Sequence, residues 1–292
     1  LNIPITTTWN AADRISANHP LYFGRPNNWG QRYSNIILQQ SDLLIAIGTR
    51  LSLQQTGFNF QNFLPGGKII HLFSDANEFA RKLPRETMQI NADCDIYLED
   101  FLSLIKNTEV NWSSWMQFCQ LVKLQLGLSE NSNTTFEGFF NPYDFYLELS
   151  KVIRDGDILI PSSSGGSLTV AMQAFMQAPD GRIATSASLA SMGYGLAASI
   201  GAALLREGKV VLVEGDGGFA QNLQELGTVE AQKLNLKIFI LSNDGYASIR
   251  MTQRSYFNGN YIGCDKTTGL GIPNWLKLFD TYGIPCQELS PK

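Results

Sequence analysis

The stretch that decides the fold covers residues 209–254 and reads KVVLVEGDGGFAQNLQELGTVEAQKLNLKIFILSNDGYASIRMTQR. Its pattern predicts a buried strand at 210–214, a glycine turn at 215–218, a helix over about 222–233 and a second strand at 237–241. A strand–helix–strand unit of this length joins two parallel strands by a right-handed crossover. The carboxyl ends of both strands then lie at one edge of the sheet, where open α/β folds bind ligands.

Polar residues follow both of these predicted strands. Asp216 comes directly after the first strand, and Asn243 and Gly245 follow the second. A carboxylate, a side-chain amide oxygen and a backbone carbonyl are hard oxygen donors that suit Mg²⁺ or Ca²⁺. The sequence therefore predicts a divalent cation held by Asp216, Asn243 and Gly245.

Glycines surround the aspartate of the turn. Gly215, Gly217 and Gly218 let backbone N–H groups approach a phosphate. Two other interpretations stay open: a dinucleotide-binding loop with Asp244 as the ribose-binding acid, and a glycine turn that serves tight packing alone. We favour a diphosphate bridged by a cation, because Asp216 would repel a pyrophosphate that bound directly.

These residues resemble the diphosphate–metal signature of thiamine-diphosphate enzymes, in which GDG is followed after a fixed gap by an Asn pair, here Asn243-Asp244. Within that family the stretch is similar to the large subunits of acetolactate synthases. The resemblance implies thiamine diphosphate and Mg²⁺ as cofactors and a small 2-oxo acid, such as pyruvate, as substrate. The reaction it implies is decarboxylation or carboligation, with the cofactor as electron sink. A homodimer or homotetramer is implied for the intact protein.

The resemblance extends to three further segments. A loop rich in Ser and Gly follows a predicted strand at 158–160 and opens a helix, where N–H and O–H groups can bind phosphate. Segment 188–198 is similar to a glycine- and alanine-rich segment of the family, and Met192 matches the residue that props the cofactor in its bent form. Segment 246–261 resembles the mobile segment that closes the site. The cofactor-binding residues implied here are Gly165, Gly166, Ser167, Ser191, Met192, Tyr246 and Ala247, besides Gly215, Gly217 and Gly218.

Ordinary structural roles stay open for several of these residues. The Ser-rich loop can serve as a helix cap, since Ser is a preferred capping residue. Met192 can fill a gap in the core. Arg250 and Arg254 can meet a carboxylate substrate, but a solvated surface position is the default for arginine.

Residues 1–128 show a second alternation of strands and helices. Strands are predicted at 43–47 and 68–73, and helices over 34–40 and 96–105, which indicates a Rossmann-like parallel sheet. The strand at 43–47 is a continuous apolar run, so we expect it to be buried on both faces. A stripe at helical spacing is expected to pack in the core; it comprises Trp112, Trp115, Phe118 and Leu121.

This first part resembles the central domain of the same enzymes, which binds FAD in acetolactate synthases and ADP or nothing in other members. FAD is therefore possible but is not assigned. Arg50 and Asp75 stand at strand ends where an adenine nucleotide can lie. An ion pair for Arg50 and a helix N-cap for Asp75 are the alternatives.

The predicted fold class is α/β, with two Rossmann-like, doubly wound domains on parallel sheets. The central domain covers residues 1–128 and the diphosphate- and Mg²⁺-binding domain covers 142–292, joined by a polar linker. We expect the family's N-terminal pyrimidine-binding domain to be absent here and the last domain to be incomplete. The activating glutamate belongs to that first domain, so we expect no catalytic residue in this chain and no activity of the chain alone.

The composition leads us to expect a protein of the cytoplasm. The net charge is −4, which gives no reason to expect nucleic acid or an anionic membrane as a partner. No apolar run approaches the ~20 residues that a membrane helix needs. The four cysteines lack CxxC spacing, and the two histidines lack a zinc pattern.

Two further hypotheses concern function. The intact protein can be another thiamine-diphosphate-dependent decarboxylase or a diketone hydrolase. Alternatively, the chain is a non-catalytic nucleotide-binding or assembly module.

Overall fold

A computed structural model describes residues 2–81, 87–163, 165–186, 189–205 and 207–289. The chain divides into two compact units. One comprises the residues up to Ala11 together with His19–Leu128, and the other comprises Ala12–Asn18 and the residues from Ser129 onwards. Each unit contains one parallel sheet with helices, so the predicted α/β class is confirmed. Ser188, the first residue of the predicted segment 188–198, lies outside the described residues.

The first unit has a three-stranded parallel sheet in the order β1–β2–β3. Its strands are β1 Leu43–Ile47, β2 Lys68–Phe73 and β3 Met88–Asn91. Its helices are α1 Arg32–Gln40, α2 Leu53–Thr56, α3 Cys94–Ile105 and α4 Ser113–Gln125, with 3₁₀ helices at Trp9–Ala11, Phe60–Asn62 and Ala76–Ala80.

Strand β1 is buried on one face only, so the prediction of burial on both faces is wrong. Leu43, Ile45 and Ile47 are exposed, whereas Ala46 is buried in a cluster with Ile69 of β2. The alternation follows from the pleat of a strand, which sends neighbouring side chains to opposite faces. The apolar run therefore predicted the position of the strand correctly but not its burial.

Helix α4 turns a different face inward from the one predicted. Trp112, Phe118 and Leu121 are all exposed, and only Trp115 of the predicted stripe is partly buried. The buried residue of the helix is Cys119, which lies in a cluster with the aromatic and apolar side chains of Phe23, Tyr33 and Ile37. The prediction of core packing is therefore wrong for Trp112, Phe118 and Leu121 and right for Trp115, because large apolar side chains lie on more than one face of this helix.

Arg50 and Asp75 have the ordinary roles considered for them. The Arg50 guanidinium lies 2.6 Å from a carboxylate oxygen of Glu78. The Asp75 side chain accepts a hydrogen bond from the Asn77 backbone N–H and caps the 3₁₀ helix that follows β2.

The second unit has a four-stranded parallel sheet in the order β5–β4–β6–β7. Its strands are β4 Ile158–Pro161, β5 Arg182–Ile183, β6 Val210–Gly215 and β7 Leu236–Leu241. Its helices are α5 Pro142–Val152, α6 Gly165–Ala174, α7 Tyr194–Leu205, α8 Asp216–Phe219, α9 Leu226–Ala231, α10 Ala247–Tyr256 and α11 Trp275–Thr281, with 3₁₀ helices at Leu223–Glu225 and Lys266–Thr268.

Helices cover both faces of this sheet. On one face, Ile160 and Leu212 pack against Leu196 of α7 together with side chains from α9 and α11. On the other face, Leu159 and Val211 pack against α5 and α6. The central strands β4 and β6 are therefore apolar on both sides, which is the arrangement of a doubly wound fold.

The helix after the glycine turn is shorter and more broken than predicted. Instead of one helix over about 222–233, the chain forms α8, which begins at Asp216 itself, then the 3₁₀ helix Leu223–Glu225, and then α9. An aspartate is favourable in the first turn of a helix, so the turn residues enter the helix early. Asn222, with φ −135°, then interrupts it.

The strand order locates the site. The chain passes from β4 outwards to β5 and then crosses back to β6 on the other side of β4. The direction of winding therefore reverses between β4 and β6, and a crevice opens at the carboxyl ends of these two strands. Among the described residues, no helix combines the length and apolar character needed to cross a membrane.

Candidate diphosphate and cation site

Three segments converge at the carboxyl edge of the second sheet. A Cβ added at Gly218 would fall 2.1 Å from Ser163 Oγ, in the loop after β4. A Cβ at Gly217 would fall 2.3 Å from the ring of Tyr246, just before α10. A Cβ at Gly165 would come within 3.3 Å of Ser248 Oγ, near the start of α10. Only residues without a side chain allow these approaches at positions 217 and 218, because real Cβ contacts do not fall below 3 Å.

The Asp216 carboxylate is fully buried and joins the ends of β6 and β7. Its Oδ2 accepts hydrogen bonds from the backbone N–H groups of Asn243 at 2.9 Å and Gly245 at 3.3 Å. Its Oδ1 accepts from the N–H of Gly217 at 2.7 Å. Asp216 and Asn243 therefore lie close together, which confirms that the carboxyl ends of the two predicted strands share one edge of the sheet.

The donor set at this edge fits a hard divalent cation. None of the ion pairs among the described residues involves Asp216, so hydrogen bonds alone compensate its buried charge. Each carboxylate oxygen has two lone pairs, and Oδ1 uses one of them for Gly217. The described part of the chain holds no cluster of three or more His, Cys, Asp and Glu side chains suited to a metal. A site here would therefore combine one carboxylate with amide and carbonyl oxygens, the ligands that Mg²⁺ accepts alongside water and phosphate.

Arg250 lies at the same site. The expectation of a solvated surface position is therefore wrong for this residue. It is half-buried, and its Nη2 donates to both the side-chain Oδ1 of Asn243, at 2.9 Å, and the backbone carbonyl of Asn243, at 3.1 Å. Arg254, one turn further along α10, is exposed as expected.

Three further residues predicted to bind the cofactor lie near this edge, namely Gly215, Gly166 and Ser167. Gly215 ends β6 and pairs in register with Leu241 of β7. Gly166 lies in the first turn of α6, where a Cβ would meet Leu241 at 3.6 Å. The Ser167 hydroxyl donates to the Ser162 carbonyl at 2.5 Å, so it is used inside the protein.

Ser191, Met192 and Ala247 lie at the rim. Ser191 is exposed, and its N–H donates to Ser186 Oγ at 3.3 Å. Met192 is 41% exposed, so it is not filling a closed core. The carbonyl of its neighbour Gly193 accepts a hydrogen bond from the Asn222 side chain, which ties this segment to the start of the 3₁₀ helix Leu223–Glu225. Ala247 is exposed at the first position of α10.

Glu214 is a residue of the site that sequence reasoning missed. It is the penultimate residue of β6, it is fully buried, and its Oε1 accepts hydrogen bonds from Ser163 at 2.7 Å and Ser162 at 3.1 Å. Burial raises the pKa of the Glu214 carboxyl, and the hydroxyl groups of Ser163 and Ser162 offset part of that rise. Glu214 therefore anchors the loop after β4 to the end of β6. A charged residue inside an otherwise apolar strand was the available signal.

Glu214→Ala is expected to lower the free energy of unfolding by about 2 kcal/mol relative to Glu214→Gln, because alanine leaves two buried serine hydroxyls without an acceptor. Glutamine keeps the volume and an oxygen for those hydroxyls. Urea unfolding of the two variants measures the difference. Equal midpoints and slopes would show that the serine hydroxyls do not depend on Glu214.

Comparison with known proteins agrees with this geometry. Residues 1–101 match the thiamine pyrophosphate enzyme central domain, and residues 164–291 match the thiamine pyrophosphate enzyme C-terminal TPP binding domain. The acetolactate synthase large subunit of Cyanidium caldarium is 29% identical over 291 residues, which cover 97% of this chain and 48% of that protein. The acetolactate synthase isozyme 2 large subunit of Escherichia coli (strain K12) is 29% identical over 99% of this chain and 50% of its own length.

A third relative, the probable acetolactate synthase large subunit of Methanococcus aeolicus, is 28% identical over 99% of this chain and 50% of its own length. The chain spans about half the length of the curated relatives it matches. The two matched domains follow one another in the order expected from the resemblance, and together they cover most of the sequence. The chain belongs to the thiamine pyrophosphate enzyme family.

Proposed function

We propose that this chain holds the diphosphate of thiamine diphosphate through a Mg²⁺ ion bound by Asp216, the Asn243 side chain and the Gly245 carbonyl. The observation that supports this most directly is the buried Asp216 carboxylate, which lies between two strand ends with no cationic side chain paired to it among the described residues. A diphosphate cannot approach such a carboxylate without a cation between them.

Backbone groups on both sides of the crevice would complete the diphosphate site. Gly165, Gly166 and Ser167 form the amino end of α6, where the helix dipole favours an anion. Gly217 and Gly218 allow close approach from the other side. For the rest of the cofactor we propose contacts with residues at the rim, namely Ser191, Met192, Tyr246 and Ala247.

For the whole protein we propose a thiamine-diphosphate-dependent enzyme of the acetolactate synthase type that acts on a small 2-oxo acid. When bound, the cofactor supplies the electron sink for decarboxylation or carboligation. The described residues of this chain would fix the diphosphate at the ends of β4 and β6, where Ser162, Glu214 and Asp216 are buried. We propose two domains, over residues 1–128 and 142–292, and a homodimer or homotetramer as the assembly.

Titration calorimetry tests this proposal on the chain as it stands. Thiamine diphosphate is expected to bind with Mg²⁺ present, and its affinity is expected to fall at least about tenfold when a chelator removes the cation. Thiamine monophosphate is the matched control, because it lacks the second phosphate. Binding that is indifferent to Mg²⁺, or tighter binding of NAD, would contradict the proposal. Product analysis of the intact protein with pyruvate tests the reaction.

A further inference from the structure

The inference concerns Arg250 and rests on the proposed function. The guanidinium of Arg250 contacts Asn243 twice, through the side-chain oxygen and through the backbone carbonyl. It also lies against the next proposed ligand, because a Cβ added at Gly245 would fall 3.0 Å from Arg250 Nη1. A fixed positive charge therefore lies beside two of the three residues proposed to bind the cation.

A guanidinium and a divalent cation compete for these oxygens. The Asn243 Oδ1 has two lone pairs, so it can in principle serve both, but the two positive charges would then be separated by only a few ångström. At that distance, and at half-buried positions where water screens charges incompletely, their repulsion is substantial. The charge of Asp216 alone does not neutralise three positive charges, and the Asp265 carboxylate near Arg250 is partly exposed, so water screens its contribution.

A diphosphate reverses this balance. It brings enough negative charge to make the cluster of cation, guanidinium and Asp216 favourable, and it offers the planar guanidinium a bidentate partner in place of Asn243. Asp265 lies near Arg250 as well and is available to it once Asn243 is released. Asp265 pairs with Gly245 in an antiparallel bridge. The hydroxyls of Thr267 and Thr268 chiefly, and the Arg250 charge in smaller part, hold the pKa of Asp265 below its ordinary value.

We propose that Arg250 sets the specificity of the cation site by occupying Asn243 until a diphosphate arrives. The cation alone binds weakly, and cation and diphosphate bind as a coupled pair. A cation without its diphosphate is thus excluded from the site, as are ligands that lack enough negative charge to release the guanidinium.

Arg250→Met tests the proposal with Mn²⁺ as the probe, measured by electron paramagnetic resonance without any thiamine compound. The variant is expected to bind Mn²⁺ at least about tenfold more tightly than the parent chain, because the competing charge is gone. Arg254→Met is the matched control: it makes the same chemical change one turn further along α10 and is expected to bind Mn²⁺ like the parent. Arg250→Gln is a second variant that removes the charge and keeps a polar side chain, in case the methionine variant folds poorly.

Adding inorganic pyrophosphate measures the coupling. Pyrophosphate is expected to raise the affinity for Mn²⁺ more in the parent chain than in either Arg250 variant, and by linkage Mn²⁺ changes the pyrophosphate affinity by the same factor. Unchanged or weaker Mn²⁺ binding by the Arg250 variants alone would overturn the inference and would make Arg250 a support for Asn243. Failure of the parent chain to bind Mn²⁺ even with thiamine diphosphate would instead overturn the proposed function.

Discussion

Asp216→Asn is expected to lower the affinity for thiamine diphosphate in the presence of Mg²⁺ by at least about 100-fold, or about 2.7 kcal/mol. The change removes the one carboxylate of the proposed cation site but keeps an oxygen that can accept from the backbone N–H groups of Asn243 and Gly245. The loss should be largest at saturating Mg²⁺ and vanish in chelator, because only cation-dependent binding is affected. Titration calorimetry at both conditions measures it.

Asp244→Asn is the control for this experiment. The same chemical change is made beside Asn243, at an exposed side chain whose ion pair with Lys266 spans 3.2 Å in solvent and contributes little. Asp244 has a φ of 59°, a region that asparagine tolerates well. Its affinity for thiamine diphosphate should match that of the parent. Equal affinities of the Asp216 variant and the parent would remove Asp216 from the cation site.

Gly195→Ala is expected to destabilise the second unit by at least about 3 kcal/mol, which corresponds to a fall of roughly 6 to 12 °C in Tm. A Cβ at this position would fall 2.5 Å from Glu214 Oε2, 2.6 Å from Ser162 Cβ and 2.7 Å from Leu212 Cδ1. All three side chains are buried, and Ser162 Cβ is fixed to the backbone of the loop after β4. The new methyl group therefore cannot be accommodated unless α7 moves away from the sheet.

Gly201→Ala in the same helix provides the matched control. Nothing lies within 4 Å of a Cβ placed there, and the residue is exposed. Alanine at this position should raise the free energy of unfolding by up to about 1 kcal/mol, because it restricts the unfolded chain and favours the helix. Thermal unfolding followed by circular dichroism compares the pair. A Tm for the Gly195 variant at or above that of the Gly201 variant would contradict the close approach of α7 to the sheet.

Strands β4, β6 and β7 were accessible from the sequence because they are short apolar runs, buried on both faces in β4 and β6 and half-buried in β7. The two-residue strand β5, Arg182–Ile183, was not predicted, because it carries no such run. The predicted strands at 210–214 and 237–241 differ by one residue from β6 and β7. The contact between Asp216 and Asn243 followed from the same reasoning, since parallel strands end at one edge. The identities of the bound groups stay predictions, because a donor set restricts a ligand without naming it.

Other features depended on tertiary contacts that no local pattern carries. The stripe from Trp112 to Leu121 has helical spacing, yet α4 buries Cys119 instead. The apolar run of β1 gave no sign that Leu43, Ile45 and Ile47 would be exposed. In these cases apolar residues lie on more than one face, so periodicity alone cannot choose the buried one.

Two residues of the site were hidden for a related reason. Glu214 meets serines that precede it by about fifty positions, and only the pairing of β4 with β6 brings them together. The Arg250 side chain folds back from α10 onto Asn243. Its charge alone had predicted that Arg250 would be exposed to solvent. Charged residues thus acquire their roles from partners that are distant along the chain or that lie across a turn.

The strand order β5–β4–β6–β7 has a consequence for when, during folding, the ligand site forms. The loops after β4 and β6 face each other across the crevice. Neither can hold an anion before these two central strands have paired. Loop closure of this kind is slow, because the contacts lie far apart in sequence. A nascent or partly refolded chain should therefore not bind thiamine diphosphate until the second unit is nearly complete. The onset of binding would then mark the end of folding.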